Sequence, residues 1–176
     1  AVELPFDDGL AREREIFEVC VASDESKAMR HVFFAERAAG KIPGVDKNLE
    51  RNQFGSAGVV GAGTMGGGIT MNFANAGIPV TVVEQDSDLL DKGLSTIQEN
   101  YAATVAKGRL TQEKMDQRLS LITGSTTLDN LVDADIVIEA IYEEMPAKKE
   151  LFGRLNQSAK PTAVLTSNTS YLDVNE

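Results

Sequence analysis

The run Gly58-Val-Val-Gly-Ala-Gly-Thr-Met-Gly66 constrains this chain more than any other stretch. An apolar strand over 57–60 leads straight into Gly61-x-Gly63-x-x-Gly66, and a helical pattern opens at once. The spacing asks for a sharp turn at Gly61 and for a ligand to come close at Gly63, where a Cβ would intrude. At Gly66 it asks for tight packing of helix on strand. The free N–H groups at the start of such a helix face an anion, most often a pyrophosphate. Alone the glycine pattern is weak; the strand before it, the helix after it and an acid at the end of the next strand give it weight.

From residue 56 strands and helices alternate. Strands are predicted at 57–60, 80–84, 120–123, 135–139 and 163–166. Helices are predicted at 64–76, 87–107, 111–119 and 146–158. Gly77 stops the first of these helices, and Thr111 is a candidate cap for the third. Short apolar strands separated by helices imply a parallel sheet covered on both faces. The expected fold is α/β, a doubly wound parallel sheet of the Rossmann type over 56–176, in spatial order 3-2-1-4-5.

Ahead of it, 1–40 reads as a helical tail. Ile16, Phe17, Cys20 and Val21 share one face of a first helix, and Ser23 caps a second whose inward face is Met29, Val32 and Phe33. Gly40 is a plausible stop, and 41–55 lacks periodicity and reads as a linker. The last strand has no helix after it to cover it. The chain is therefore expected to be a fragment of a longer polypeptide, its α/β domain incomplete at the C-terminal side.

Glu84 ends the second strand. A carboxylate about 20 residues beyond such glycines accepts hydrogen bonds from an adenosine ribose and repels a 2′-phosphate, which favours NAD over NADP. Glu143 and Lys148 follow the fourth strand, on the side of the sheet where ligands bind. The lysine has the reach for a ribose or phosphate, but spacing alone favours an exposed pair of little energetic worth. Ser167-Asn-Thr-Ser170 follows the fifth strand; its hydroxyls and amide suit a nicotinamide or a substrate oxygen, or an ordinary polar turn. Lys107 closes the long helix, where a base complements the helix dipole or meets the phosphates of an acyl carrier.

Composition narrows the classes. The net charge of −10 disfavours nonspecific nucleic-acid binding, and no apolar run is long enough for a transmembrane helix. Cys20 and His31 are the sole cysteine and histidine. They give no intrachain disulfide and by themselves no zinc site, so no metal is expected. His31 lies far along the chain from the glycine run and reads as structural.

Five motifs, in order, carry a resemblance: Gly61-Ala-Gly-Thr-Met-Gly-Gly-Gly-Ile69, Val83-Glu-Gln-Asp86, Ile138-Glu-Ala-Ile-Tyr-Glu143, Lys148-Lys-Glu-Leu-Phe152 and Ser167-Asn-Thr-Ser170. Together they resemble the NAD-binding domain of L-3-hydroxyacyl-CoA dehydrogenases. The tail over 17–37 resembles the segment joining the enoyl-CoA hydratase and dehydrogenase halves of multifunctional β-oxidation enzymes.

The resemblance implies oxidation of an L-3-hydroxyacyl-CoA to the 3-ketoacyl-CoA with NAD as cofactor. It assigns Gly61, Ala62, Gly63, Thr64, Met65 and Gly66 to the pyrophosphate. Glu84 and Gln85 take the adenosine side, Glu84 standing where the family more often has Asp. Ile141, Tyr142, Glu143 and Lys148 line the nicotinamide side. Ser170 would hydrogen-bond the substrate 3-oxygen and Asn168 would support its loop; these two are the catalytic candidates. Lys107 and Asn100 match CoA contacts, Asn100 at a position that is serine elsewhere.

The family's catalytic histidine and the glutamate that holds it follow the Ser-Asn-Thr-Ser motif and are not among these residues. The chain is thus expected to bind NAD without turnover. The implied partners are the acyl-CoA substrate, the rest of the parent polypeptide and an oligomer formed through absent domains. Bacterial cytoplasm is the first compartment expected, with a peroxisomal or mitochondrial matrix as alternatives. The competing functions are another β-hydroxyacid dehydrogenase and a non-catalytic NAD(H)-sensing module.

Overall fold

Four-residue apolar segments flanked by helices pair side by side in this chain. In the computed structural model, which describes residues 2–45 and 52–176, they form one five-stranded parallel sheet. The chain divides into two units, Ala1–Arg51 and Asn52–Glu176. Residues 46–51 of the expected linker lie outside the described residues.

The first unit is a helix pair, α1 (Phe6–Ala22) and α2 (Asp24–Ala39). Ser23 turns the chain between them. Its hydroxyl accepts from Ser26 N at 3.2 Å and donates to the Cys20 carbonyl at 2.8 Å, serving both helix ends. Asp24 and Glu25 sit in the first turn of α2, where negative charge complements the dipole. One expectation fails here. The face of α2 read as inward, Met29-Val32-Phe33, is not buried; the shared face Ile16-Phe17-Cys20-Val21 of α1 is not buried either, and neither helix buries any residue. Two helices alone offer too little surface to cover an apolar stripe on each.

The second unit carries β1 (Ala57–Val60), α3 (Thr64–Asn75), β2 (Val80–Val83), α4 (Ser87–Ala106), α5 (Gln112–Leu119), β3 (Ile122–Ser125), a 3₁₀ turn (Leu128–Leu131), β4 (Ile136–Glu139), α6 (Met145–Ser158) and β5 (Val164–Ser167). The order is β3-β2-β1-β4-β5, the doubly wound topology. β1 lies at the centre with all four residues buried. Alternate strand residues point to opposite faces. Val60, Val83 and Val137 pack with Leu128, Leu131, Leu151 and Leu155 on one face. Ala57, Val59 and Val80 meet Ile69 and Phe73 of α3 on the other. Ile97, Tyr101 and Met115 extend that second layer between α4 and α5.

Three strands begin later than the sequence expectation. β3 begins at Ile122 rather than 120, because Ser120 is the C-cap of α5. β4 and β5 each begin one residue later than expected. No sequence signal marks the 3₁₀ turn; its Leu131 packs so closely on β1 that a Cβ at Gly58 would lie 2.7 Å from Leu131 Cδ2.

Candidate functional site

The glycine turn is built by close approaches on three sides. Gly61 has φ +105°, and a Cβ there would lie 2.5 Å from the Ala140 carbonyl oxygen beyond β4. A Cβ on Gly66 would lie 1.8 Å from the Gly61 carbonyl oxygen. Helix α3 thus closes against the turn itself, more than against the strand side chains. On the far side α4 presses in through Gly93, where a Cβ would lie 2.5 Å from the Ala62 carbonyl oxygen. Sequence reading missed Gly93.

Gly63 is different. A Cβ there meets nothing within 4 Å, so the protein itself does not require glycine at this position. Gly63 is also the N-cap of α3 and brings no side chain to that helix end, whose first turn carries no acid. A helix N-terminus with an open approach at Gly63 fits a pyrophosphate. Thr64 and Met65 of the first turn are exposed beside it.

Glu84 lies one residue past β2. Its Oε2 accepts from Ala62 N at 3.2 Å and its Oε1 from Gln85 N at 3.0 Å. Each carboxylate oxygen keeps a lone pair for a further donor. Glu84 and Gly63 line two adjoining clefts. One, of about 340 Å³, runs along α4 past Lys92, Thr96 and Asn100. The other, of about 470 Å³, crosses the carboxyl ends of β1, β2 and β4 and reaches Ile141, Tyr142 and Arg154. Gln85 also borders the second cleft. Lys107, the C-cap of α4, lines neither of these clefts.

At the ends of β4 and β5 the exposed pair favoured from spacing is instead a buried network. Glu139, which alternation points to the same face as Val137, is fully buried; Lys148, one turn into α6, is 5% exposed. Lys148 Nζ lies 2.6 Å from Glu139 Oε1 and 3.0 Å from Glu143 Oε2. Glu139 Oε1 also accepts from Ile141 N at 2.8 Å, and Oε2 from the Ser167 hydroxyl at 2.6 Å. Glu143 Oε1 accepts from the Thr169 hydroxyl at 2.5 Å and from Ser170 N at 2.9 Å. Burying charges is costly unless each is paired and hydrogen-bonded, and here each is.

The network sets the charge states. The Thr169 hydroxyl, then Lys148 and the Ser170 N–H, pull the Glu143 carboxyl down to about 2. Burial alone would lower the Lys148 ammonium, but hydrogen bonds to Glu139 and Glu143 outweigh it and raise the lysine above its ordinary value. Both groups are charged at neutral pH.

The structure therefore brings together Glu143, Lys148 and the backbone of Ser170. Asn168 enters through its N–H, which donates to the Glu139 carbonyl at 2.8 Å. Ile141 packs beneath against the Leu151 layer, and Tyr142 is exposed beside it. Glu139 was missed as a site residue; the Ser167 and Thr169 hydroxyls were singled out for a nicotinamide or a substrate oxygen, and here they donate to Glu139 and Glu143. Their partners come from segments up to 28 residues away, and no local spacing signals that.

A glycine turn into a helix N-terminus, an acid past the next strand and clefts over the carboxyl edge together define a dinucleotide-binding doubly wound domain. Residues 56–176 match the family described as 3-hydroxyacyl-CoA dehydrogenase, NAD binding domain, and the chain belongs to that family. It is 36% identical over 167 residues to a peroxisomal fatty acid beta-oxidation multifunctional protein of Arabidopsis thaliana, covering 94% of this chain and 23% of that protein. It is 37% identical to the peroxisomal bifunctional enzyme of Cavia porcellus, covering all of this chain and 25% of that protein.

Among solved structures, 3-hydroxybutyryl-CoA dehydrogenase from Escherichia coli superposes with TM-score 0.69 at 31% identity, over 70% of this chain and 26% of that one. The dehydrogenase part of multifunctional enzyme 1 from C. elegans gives 0.68 at 28%, over 77% and 31%. The chain thus spans about a quarter of the length of these curated relatives. Among the described residues no helix is long and apolar enough to cross a membrane.

Proposed function

We propose that this chain is the cofactor-holding part of a dehydrogenase that oxidises L-3-hydroxyacyl-CoA to 3-ketoacyl-CoA. The observation that carries the reading is the placement of two sites on one sheet edge. Glu84 stands on the β2 side of the glycine turn, and the Glu139–Lys148–Glu143 network on the β4–β5 side. A dinucleotide with its pyrophosphate on α3 and its adenosine ribose on Glu84 lays its second half over the ends of β4 and β5.

In this reading the N–H groups of Thr64, Met65 and Gly66 hold the pyrophosphate, with Gly61, Ala62 and Gly63 shaping the approach. Glu84 accepts from the ribose and Gln85 borders the adenosine. Ile141, Tyr142, Glu143 and Lys148 line the nicotinamide half. Ser170 meets the substrate 3-oxygen, on a loop that Asn168 and Glu143 hold. Asn100 on α4 and Lys107 at its C-cap lie seven residues apart, about two turns, suited to the acyl carrier. When bound, NAD supplies the hydride acceptor. The proton on the substrate hydroxyl needs a base. We assign that role to the histidine that the family resemblance places after the Ser-Asn-Thr-Ser motif, in a longer polypeptide.

The relatives' names support the peroxisomal option for the compartment, and nothing in them supports the bacterial cytoplasm expected first. A partner in the rest of a multifunctional polypeptide accords with the relatives' greater length.

Titration of the chain with NADH and NADPH tests the cofactor half. NADH is expected to bind tighter, and Glu84→Ala to weaken it by about 1–3 kcal/mol, the worth of hydrogen bonds to a charged group. Equal affinity for NADPH would defeat the role of Glu84. A polypeptide extended past residue 176 is expected to reduce acetoacetyl-CoA with NADH, and the 176 residues alone are not. Failure of the extended form would defeat the substrate assignment.

A further inference from the structure

Glu139 is the most deeply buried acid in the second unit, and the proposed function gives it no contact with cofactor or substrate. Its carboxylate accepts in every bond it makes: from Lys148 Nζ, Ile141 N and the Ser167 hydroxyl. That is the pattern of an ionised carboxylate. Lys148 is shared between Glu139 and Glu143, so the three groups carry two negative charges and one positive. One negative charge is left over, held without water on Glu139 and only partly wet on Glu143. The neighbouring charges on α6 and its cap, Glu144, Lys149, Glu150 and Arg154, are all exposed and act through solvent.

The two forms of the cofactor differ in charge where this matters. The oxidised nicotinamide ring is a cation and the reduced ring is neutral. We propose that Glu139, acting through Lys148 and Glu143, biases this site toward the oxidised cofactor by leaving one uncompensated negative charge beneath the β4–β5 ends. The inference rests on the proposed placement of the nicotinamide half over those strand ends. Glu139 is a positioning residue: it fixes the ammonium that fixes Glu143, and it sets the charge of the group of three. Simple packing on the same face would have been met by an apolar residue, as it is at Val137.

Glu139→Gln keeps the shape and takes the net charge of the three from −1 to 0. Isothermal titration of the whole chain with NAD⁺ and with NADH, for wild type and variant, reads the ratio of the two dissociation constants. The variant is expected to raise Kd(NAD⁺)/Kd(NADH) about tenfold, the size of one unit charge acting across ~10 Å of protein interior. A purely structural Glu139 would weaken both forms together and leave the ratio unchanged, which overturns the proposal. Ser167→Ala removes a donor without altering charge, and its ratio is expected to stay within about twofold of wild type; a tenfold rise there would also overturn it.

Should Glu139→Gln not fold, Glu143→Gln makes the same charge change from a partly exposed loop position and must move the ratio the same way. If wild type binds both forms and neither glutamine variant moves the ratio, this inference alone falls. If wild type binds neither form, the assigned function falls with it.

Discussion

Gly63 and Gly66 belong to one motif but are held by different constraints. At Gly66 a methyl group has no room, since it would overlap the Gly61 carbonyl oxygen. At Gly63 the backbone angles are ordinary and the space is open. Gly66→Ala is therefore expected to destabilise the domain by about 3 kcal/mol or more, as a lower denaturant midpoint. Gly63→Ala is expected to change stability by no more than about 0.5 kcal/mol while weakening NADH binding measurably. Unfolding curves and NADH titration on the same two proteins separate these effects. Both glycines were legible from spacing, because one rule of close approach covers them. Glu139 was not. Between Ile138 and Ala140 it reads as the end of a strand, and only the arrival of Lys148 and Ser167 makes its burial possible.

At the scale of elements, the loop after β5 is tied to the loop after β4 by Glu143. Its carboxyl lies at about 2 in the fold against an ordinary 4.5. A group depressed in this way stabilises the fold above its unfolded value, and that stability is lost as pH falls through the folded value. Wild type is expected to exceed Glu143→Gln in stability by a margin that is constant above about pH 5 and disappears between about 4.5 and 2. Denaturant midpoints across that range check it; a margin that persists at pH 2 would exclude the carboxylate as its source.

Element positions were legible where local chemistry marks them. Ala57–Val60 ends at a glycine that only a turn accommodates, and Ser23 and Thr111 cap the helices they precede. β3 was shifted because its last two residues, Gly124 and Ser125, speak weakly for a strand. Gly124 is there because Leu94 of α4 packs on it, with a Cβ placed only 2.8 Å from Leu94 Cδ1. That demand comes from another element, and a window on the sequence of β3 does not contain it.

At the scale of the molecule, every residue assigned to the cofactor lies in the second unit, Asn52–Glu176. Removal of residues 1–51 is expected to leave NADH affinity within about twofold of the full chain, a change near the ordinary scatter of surface substitutions. A loss of binding would give the helix pair a part in the site. The apolar stripes of α1 and α2 were correctly seen as stripes, and that of α2 was wrongly seen as buried. Periodicity reports that a face seeks cover, and says nothing of whether these residues supply it.

The glycine turn is pinned from α3, from α4 and from the end of β4 by contacts that leave no room for a methyl group. Its disorder is removed when the domain folds, before any nucleotide arrives. Binding then carries little further ordering cost, and the hydrogen-bonding groups meet their anion already aimed. Affinity and foldability become one trait at the pinned glycines, Gly61, Gly66 and Gly93, and stay separate only at Gly63. A substitution that loosens the turn is felt first as a less stable domain, and only through that as a weaker grip on the cofactor.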